Sequence, residues 1–209
     1  MKKLLEKYFP DLEQSQINKL CRLEEIYNEW NRKINVISRK DMENFNVHHV
    51  LHSLSIARFT SFAPGTEILD IGTGGGFPGI PLSVVFPASR FVLLDSIQKK
   101  IRVVNAILNE LDIKNSVTIC SRAETHKRNY DFIISRAVAT FPELVKLSAG
   151  KIKTEGKNSL KNGIITLKGG DLSAELKKFS DKTVLIPISR YFDEPYFETK
   201  FLIYMPFEK

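Results

Sequence analysis

The chain has 209 residues, 43% of them hydrophobic and 26% charged, with a formal net charge of +7. That is enough apolar material for one globular domain with at most a small extension, which excludes disorder across the whole chain. No apolar run approaches the ~18 residues of a membrane-spanning helix, and the start MKKLLEKYFPDLEQ lacks the apolar core of a secretory signal. The two cysteines, Cys21 and Cys120, stand far apart, so neither a disulfide framework nor a cysteine-based zinc site is expected, and a reducing cytoplasm is.

In chain order, residues 15–34 read as an amphipathic helix with Leu20, Leu23, Tyr27, Trp30 and Ile34 on one stripe and Ser15 as N-cap. A second helix is predicted over 46–60, and Pro64-Gly65 then breaks the chain. Short buried strands alternating with helices follow. Strands are expected at 67–72, 91–95, 117–121, 130–135 and 164–169. Helices are expected from Pro78, over 97–111, over 141–152 and over 172–179. This alternation means a parallel sheet covered on both faces. The last strands, 183–189 and 200–205, leave no room for a crossover helix and so predict a closing antiparallel hairpin. The lysine-rich stretch 151–163 reads as an exposed, mobile loop.

Charge is uneven along this chain. Residues 96–170 carry 14 basic and 6 acidic side chains, which accounts for the whole surplus. The block points to a polyanionic partner, nucleic acid first, or to a solvated basic surface.

The strongest local signal is ILDIGTGGGFPGIP (68–81), a buried strand running into Gly72, Gly74, Gly75 and Gly76 ahead of Pro78. Glycines here let a ligand approach the backbone at the carboxyl end of a parallel strand. Gly74, Gly76 and Gly79 match the dinucleotide spacing GxGxxG, but the first glycine after the strand is Gly72, and Pro78 removes an N–H that pyrophosphate would use. The other register, Asp70-x-Gly72-x-Gly74-x-Gly76, places an acid beside a ligand bearing an ammonium group. S-adenosylmethionine fits that demand. Asp95, at the end of the next strand, suits both ribose hydroxyls. Ala123 and Glu124 after the third strand fall beside the expected adenine, with Glu124 accepting from its amino group. Arg136, ending the fourth strand, suits the cofactor carboxylate or a substrate phosphate.

The fourth-strand residues Ser135, Arg136, Ala137 and Val138 lack the Asn/Asp-Pro-Pro-aromatic motif that orients an exocyclic amine for methylation. Neither cysteine is placed as a nucleophile for carbon methylation. What remains is a target that is already nucleophilic, such as guanine N7, which needs placement and no general base. The cluster His48, His49 and His52 lacks the glutamate of a zinc protease motif, and no metal is expected.

WNRKINVISRKD (30–41), HHVLHSL (48–54), LDIGTGGGFPGIPL (69–82), LLDSIQKK (93–100), SRAE (121–124), ISRAVA (134–139) and LKGG (167–170) together resemble the bacterial ribosomal RNA small subunit methyltransferase G family, also called glucose-inhibited division protein B. The resemblance implies a class I S-adenosylmethionine-dependent methyltransferase, with a mostly parallel seven-stranded Rossmann-like α/β sheet and a closing hairpin. Residues 1–63 would be a helical extension packed on a methyltransferase domain at 64–209. The family transfers a methyl group to N7 of a guanine in the decoding region of 16S ribosomal RNA, so the implied partner is that RNA or a small-subunit particle. The implied enzyme is cytoplasmic, and we expect a monomer. By motif match, Gly72, Gly74, Phe77, Asp95, Ala123, Glu124 and Arg136 meet the cofactor, while Asn35, His49, Arg136 and Lys168 position substrate, with Lys168 facing RNA. His48 and His52 depart from the family's usual arginine and aspartate. The alternatives are a methyltransferase for another RNA or a small molecule, a non-catalytic RNA-binding module with a retained cofactor fold, and an NAD-dependent oxidoreductase.

Overall fold

A computed structural model describes residues 1–207, the Arg39 side chain left aside. The N-terminal part is helical. It comprises α1 (Lys2–Tyr8), α2 (Gln14–Lys33), the short α3 (Arg39–Met42), and a π-helical turn (Asn46–Leu51) that runs directly into α4 (His52–Phe59). The α2 cap is Glu13 rather than Ser15, because Gln16 Oε1 accepts from the Glu13 N–H at 2.9 Å and closes the turn one step earlier. The expected helix over 46–60 therefore exists but opens in a wider winding, and this turn carries His48 and His49.

The remainder alternates: β1 (Glu67–Ile71), α5 (Gly79–Val85), β2 (Arg90–Asp95), α6 (Gln98–Glu110), β3 (Ser116–Cys120), β4 (Phe132–Arg136), α7 (Phe141–Ser148), β5 (Gly163–Gly169), α8 (Ser173–Leu176), β6 (Val184–Pro187) and β7 (Lys200–Pro206). The sheet order is β3-β2-β1-β4-β5-β7-β6. β1 to β5 pair in parallel, and β7 runs antiparallel to both β5 and β6. The expected hairpin is present, with β7 inside the sheet and β6 at its edge.

Side-chain alternation assigns the two faces. Ile68, Phe91, Leu93, Phe132, Ile134, Ile165 and Leu167 join a core that also holds Leu20, Leu23, Tyr27, Leu51 and Leu54 of the N-terminal helices. Leu69, Ile71, Val92, Leu94, Ile133 and Ile164 face the other side, with Leu144 of α7. Burial on both faces explains why these strands read as continuous apolar runs.

Several boundaries differ from expectation. The helix expected over 172–179 is shorter, Ser173–Leu176, and the strand expected over 130–135 is Phe132–Arg136. The α7 helix ends at Ser148 instead of 152, because Ile152 leaves it to form a parallel bridge with Tyr130. The strand expected over 183–189 stops at Pro187, and Ile188–Arg190 tighten into a 3-10 turn. The stretch 151–163 is exposed only in part. Lys151, Ile152 and Asn162 are buried, and Asn158 Oδ1 accepts from the Ala63 N–H at 2.8 Å, stitching the stretch to the start of β1. Among the described residues, no helix is long and apolar enough to cross a membrane.

Candidate active site

The carboxyl ends of β1, β2, β3 and β4 converge on one cavity of about 510 Å³, inside the range of small-ligand sites. Its wall includes Gly72, Gly74, Phe77, Asp95, Ala123, Glu124 and Arg136, so the seven residues assigned to a cofactor by motif come together. Asn35, His49 and Lys168 lie outside that wall.

The glycine loop is held from beneath. Gly72 has φ +67°, and a Cβ there would stand 2.5 Å from Val138 Cγ2. Gly74 has φ +59°, but nothing comes closer to its Cβ position than Gly72 O at 3.9 Å, which leaves its outer face open to a ligand. Asp70 is fully buried: its Oδ2 accepts from Thr73 Oγ1 at 2.6 Å and from the Gly79 N–H at 3.0 Å. Burial pushes this carboxyl up to about 7 against the opposing pull of those two bonds. Asp70 is therefore a brace for the loop and the start of α5. It does not line the cavity.

Asp95 lines the cavity, and both of its oxygens already hold backbone. Oδ2 accepts from the Gly74 N–H at 2.9 Å and Oδ1 from the Ile97 N–H at 2.8 Å. Each carboxylate oxygen has two lone-pair positions, so both keep room for a further donor such as a hydroxyl. Ala123 is buried beside it, and Glu124 stands exposed on the rim.

Arg136 closes the opposite side. Its Nη1 donates to His48 O at 2.8 Å, its Nη2 donates to His49 Nδ1 at 2.7 Å, and the guanidinium sits 5.1 Å from the Phe77 ring centroid. Among the described residues, no carboxylate lies within ion-pair distance of it. It is a largely enclosed cation whose partners are neutral, a setting that welcomes an anion. His49 Nε2 lies 2.7 Å from Asp41 Oδ2, close but off the line of a well-aligned hydrogen bond. Burial first, and then the Arg136 charge, hold His49 down at about 4, so it is neutral near pH 7. His48 gives its Nδ1 to Asp41 Oδ1 at 2.5 Å and stacks on Tyr196 with ring centroids 3.8 Å apart. His52 is buried, and its Nδ1 lies 3.3 Å from Tyr196 Oη.

Lys168 corrects its assignment. Its side chain is 10% exposed, and Nζ donates to Ala139 O at 2.7 Å and to Glu175 Oε2 at 2.7 Å. The ammonium is turned inward, tying the end of β5 to the segment after β4, and little of the side chain is left exposed to a partner. Asn35 is exposed, while its neighbour Val36 lines the cavity and packs against Gly75.

Several wall or support residues had no sequence signal strong enough to single them out. Lys100 and Arg122 are cavity-wall cations embedded in a generally basic block. Tyr27 read as one more member of an apolar stripe, yet its buried hydroxyl donates to Gly75 O and fastens α2 to the glycine loop. A hydroxyl on an otherwise apolar stripe was the available clue, since a buried phenol needs a partner.

The sheet order, the antiparallel β7 and the glycine loop at the end of β1 together define the S-adenosylmethionine-dependent methyltransferase fold. Solved structures agree at the level of fold. A SAM-dependent methyltransferase from Aquifex aeolicus superposes with TM-score 0.53 at 18% identity over 77% of this chain and 92% of that one. Aeropyrum pernix fibrillarin, solved with natively bound S-adenosyl-L-methionine, gives TM-score 0.54 at 13% identity over 74% and 73%. The family model for rRNA small subunit methyltransferase G matches residues 16–191, and the chain belongs to that family of enzymes. Curated relatives named ribosomal RNA small subunit methyltransferase G are similar over nearly their full length. That of Christiangramia forsetii is 51% identical across 97% of this chain and 96% of its own, and that of Flavobacterium johnsoniae is 50% identical across 96% and 95%.

Proposed function

We propose that this methyltransferase uses S-adenosyl-L-methionine to methylate N7 of a guanine in the decoding region of 16S ribosomal RNA, acting in the cytoplasm, as a monomer, on that RNA or on a small-subunit particle. In this reading residues 1–63 are a helical extension on a methyltransferase domain at 64–209.

The residues present fit the cofactor. The open face of Gly74 admits close approach, Asp95 keeps lone pairs that would take the ribose hydroxyls, Ala123 and Glu124 line the part of the wall that would flank the adenine, and Arg136 offers a guanidinium with no carboxylate of its own. When bound, the cofactor supplies a methyl group activated by a sulfonium. Everything else asked of the chain is binding and alignment, and orientation alone can supply up to ~7–11 kcal/mol of a barrier.

One observation favours N7 in particular. Among the described residues, the cavity wall contains neither histidine nor cysteine. The nearest credible base, His49, has its Nδ1 lone pair engaged by Arg136 and its Nε2 turned to Asp41. Guanine N7 has an in-plane lone pair and loses no proton on methylation, so a site built this way is sufficient for it. A ring carbon asks for a thiol nucleophile, which this wall lacks, and an exocyclic amine for the orienting motif whose place Ser135, Arg136, Ala137 and Val138 take.

The test is mass-spectrometric mapping of 16S ribosomal RNA from cells with and without the gene, alongside single-turnover methylation in vitro. The expected result is one 7-methylguanosine lost with the gene, and a rate nearly flat from about pH 6.5 to 8.5. Because His49 is already neutral across that range, the deciding datum is its variant: a single-turnover rate at saturating RNA and cofactor that falls about a hundredfold or more in His49→Gln would show that a base is required and that N7 is the wrong atom.

A further inference from the structure

Arg136, His49 and Asp41 come from three separate elements, the end of β4, the π-helical turn and α3, yet they form one chain of polar contacts running outward from the cavity. Arg136 Nη2 is 2.7 Å from His49 Nδ1, and His49 Nε2 is 2.7 Å from Asp41 Oδ2. The direction of this chain is set by chemistry. A guanidinium can only donate, so His49 Nδ1 must accept, and the ring proton belongs on Nε2. A lone pair on Nε2 facing a carboxylate oxygen at that distance would be repelled, which demands the same tautomer even though the contact is bent. The second oxygen of Asp41 is held by His48 Nδ1 at 2.5 Å, which fixes the carboxylate against rotation. His48 is itself clamped by its stack on Tyr196.

We propose that His49 is a positioning residue: as a neutral acceptor oriented by Asp41, it aims the Arg136 guanidinium at the carboxylate of the cofactor. The inference rests on the reading that Arg136 holds that carboxylate, and goes beyond it by removing His49 from the substrate and giving Asp41 a role. The arrangement resolves an electrostatic problem. A carboxylate next to Arg136 would neutralise it and compete with the ligand, whereas a neutral imidazole orients the cation and leaves its charge available. Asp41 supplies the orientation from one residue further away, where it is 36% exposed.

The prediction is specific to one end of the ligand. S-adenosylhomocysteine carries the amino-acid carboxylate, and 5′-methylthioadenosine shares the adenosine but lacks that group. Binding of both is measured by calorimetry to the full chain and its variants. His49→Phe, which keeps a ring but offers no acceptor, should weaken S-adenosylhomocysteine about tenfold, the worth of one charge-assisted hydrogen bond, and leave methylthioadenosine within about twofold. His49→Asn puts an amide oxygen near the place of Nδ1 and should recover most of the loss. His49→Gln, whose amide reaches instead toward the place of Nε2, should not. Asp41→Asn, the mildest change, lets an amide donate to Nε2 and reverse the tautomer, and should weaken S-adenosylhomocysteine alone.

Arg136→Ala separates the two levels. If it weakens S-adenosylhomocysteine selectively while His49→Phe does not, the relay is overturned and the role of Arg136 stands. Equal loss of both ligands in His49→Phe would mean a collapsed pocket and would also overturn the relay. If Arg136→Ala leaves the discrimination between the ligands untouched, the guanidinium serves another anion, such as an RNA phosphate, and both levels fall together.

Discussion

The two halves of the cavity are built on opposite plans. On the β1–β2 side the ligand surface is backbone, with glycines at positive φ, the Gly74 N–H fastened to Asp95, and Asp70 locking the turn from beneath. On the β4–β5 side it is the Arg136 side chain, oriented by the His48 carbonyl and the His49 ring but left without a carboxylate, while Lys168, outside the wall, is paired with Glu175. The comparison teaches that a basic residue at a strand end is not thereby a free one. Lys168 was assigned to RNA on its position, and its structural partner sits seven residues further on in α8.

The largest expected effect falls on the backbone half. Gly72→Ala places a side chain at φ +67°, costing about 1–2 kcal/mol, and drives its Cβ into Val138, so urea denaturation should show a loss of about 2–5 kcal/mol together with failed S-adenosylhomocysteine binding. A fully stable Gly72→Ala protein would mean that the loop is softer than drawn. In the side-chain half, Lys168→Ala should cost about 2 kcal/mol of stability, less than a fully buried pair because Glu175 keeps some contact with water. Its salt dependence of RNA binding should match wild type. A slope reduced by about one unit would put Lys168 on a phosphate and break the contrast between the halves.

Asp95→Ala should lower S-adenosylhomocysteine affinity more than tenfold, since it removes both the remaining lone pairs and the tether on Gly74, and calorimetry reads this directly. NAD should not raise the melting temperature of wild type. Unchanged affinity in the Asp95 variant would place the adenosine elsewhere.

The smallest signal is a slope, because the two halves titrate against each other. Asp70 is raised to about 7, so the folded protein holds a proton that the unfolded chain has released, and this contribution falls as pH rises from about 4 to 7. His49 is lowered to about 4 and His52 is also lowered, both chiefly by burial. The unfolded chain then binds the extra protons, and their contribution rises up to about pH 6.5. Asp70→Asn removes only the falling part. Its melting temperature should therefore climb more steeply than that of wild type between about pH 4.5 and 6.5, and parallel curves would mean that Asp70 is ionised throughout.

The sequence by itself determined the alternating architecture, the closing hairpin and the backbone half of the site. The reason is that these features are local. Short continuous apolar runs mark strands buried on both faces, glycines mark turns that need positive φ, and an acid at a strand end is placed by the strand itself. Even there, the sequence turned both Asp70 and Asp95 toward a ligand, because both are acids at the ends of buried strands, and only the fold makes Asp70 an internal brace and Asp95 part of the cavity wall. The partners of Arg136 lie 87 and 88 positions away, and the hydroxyl that fastens Gly75 lies 48 away, on a helix whose stripe reads simply as core. Such pairings follow from how the N-terminal helices pack across the carboxyl edge of the sheet. The tertiary structure alone decided which charges remain free, because a charge is spent or available according to neighbours that chain folding brings together from distant positions.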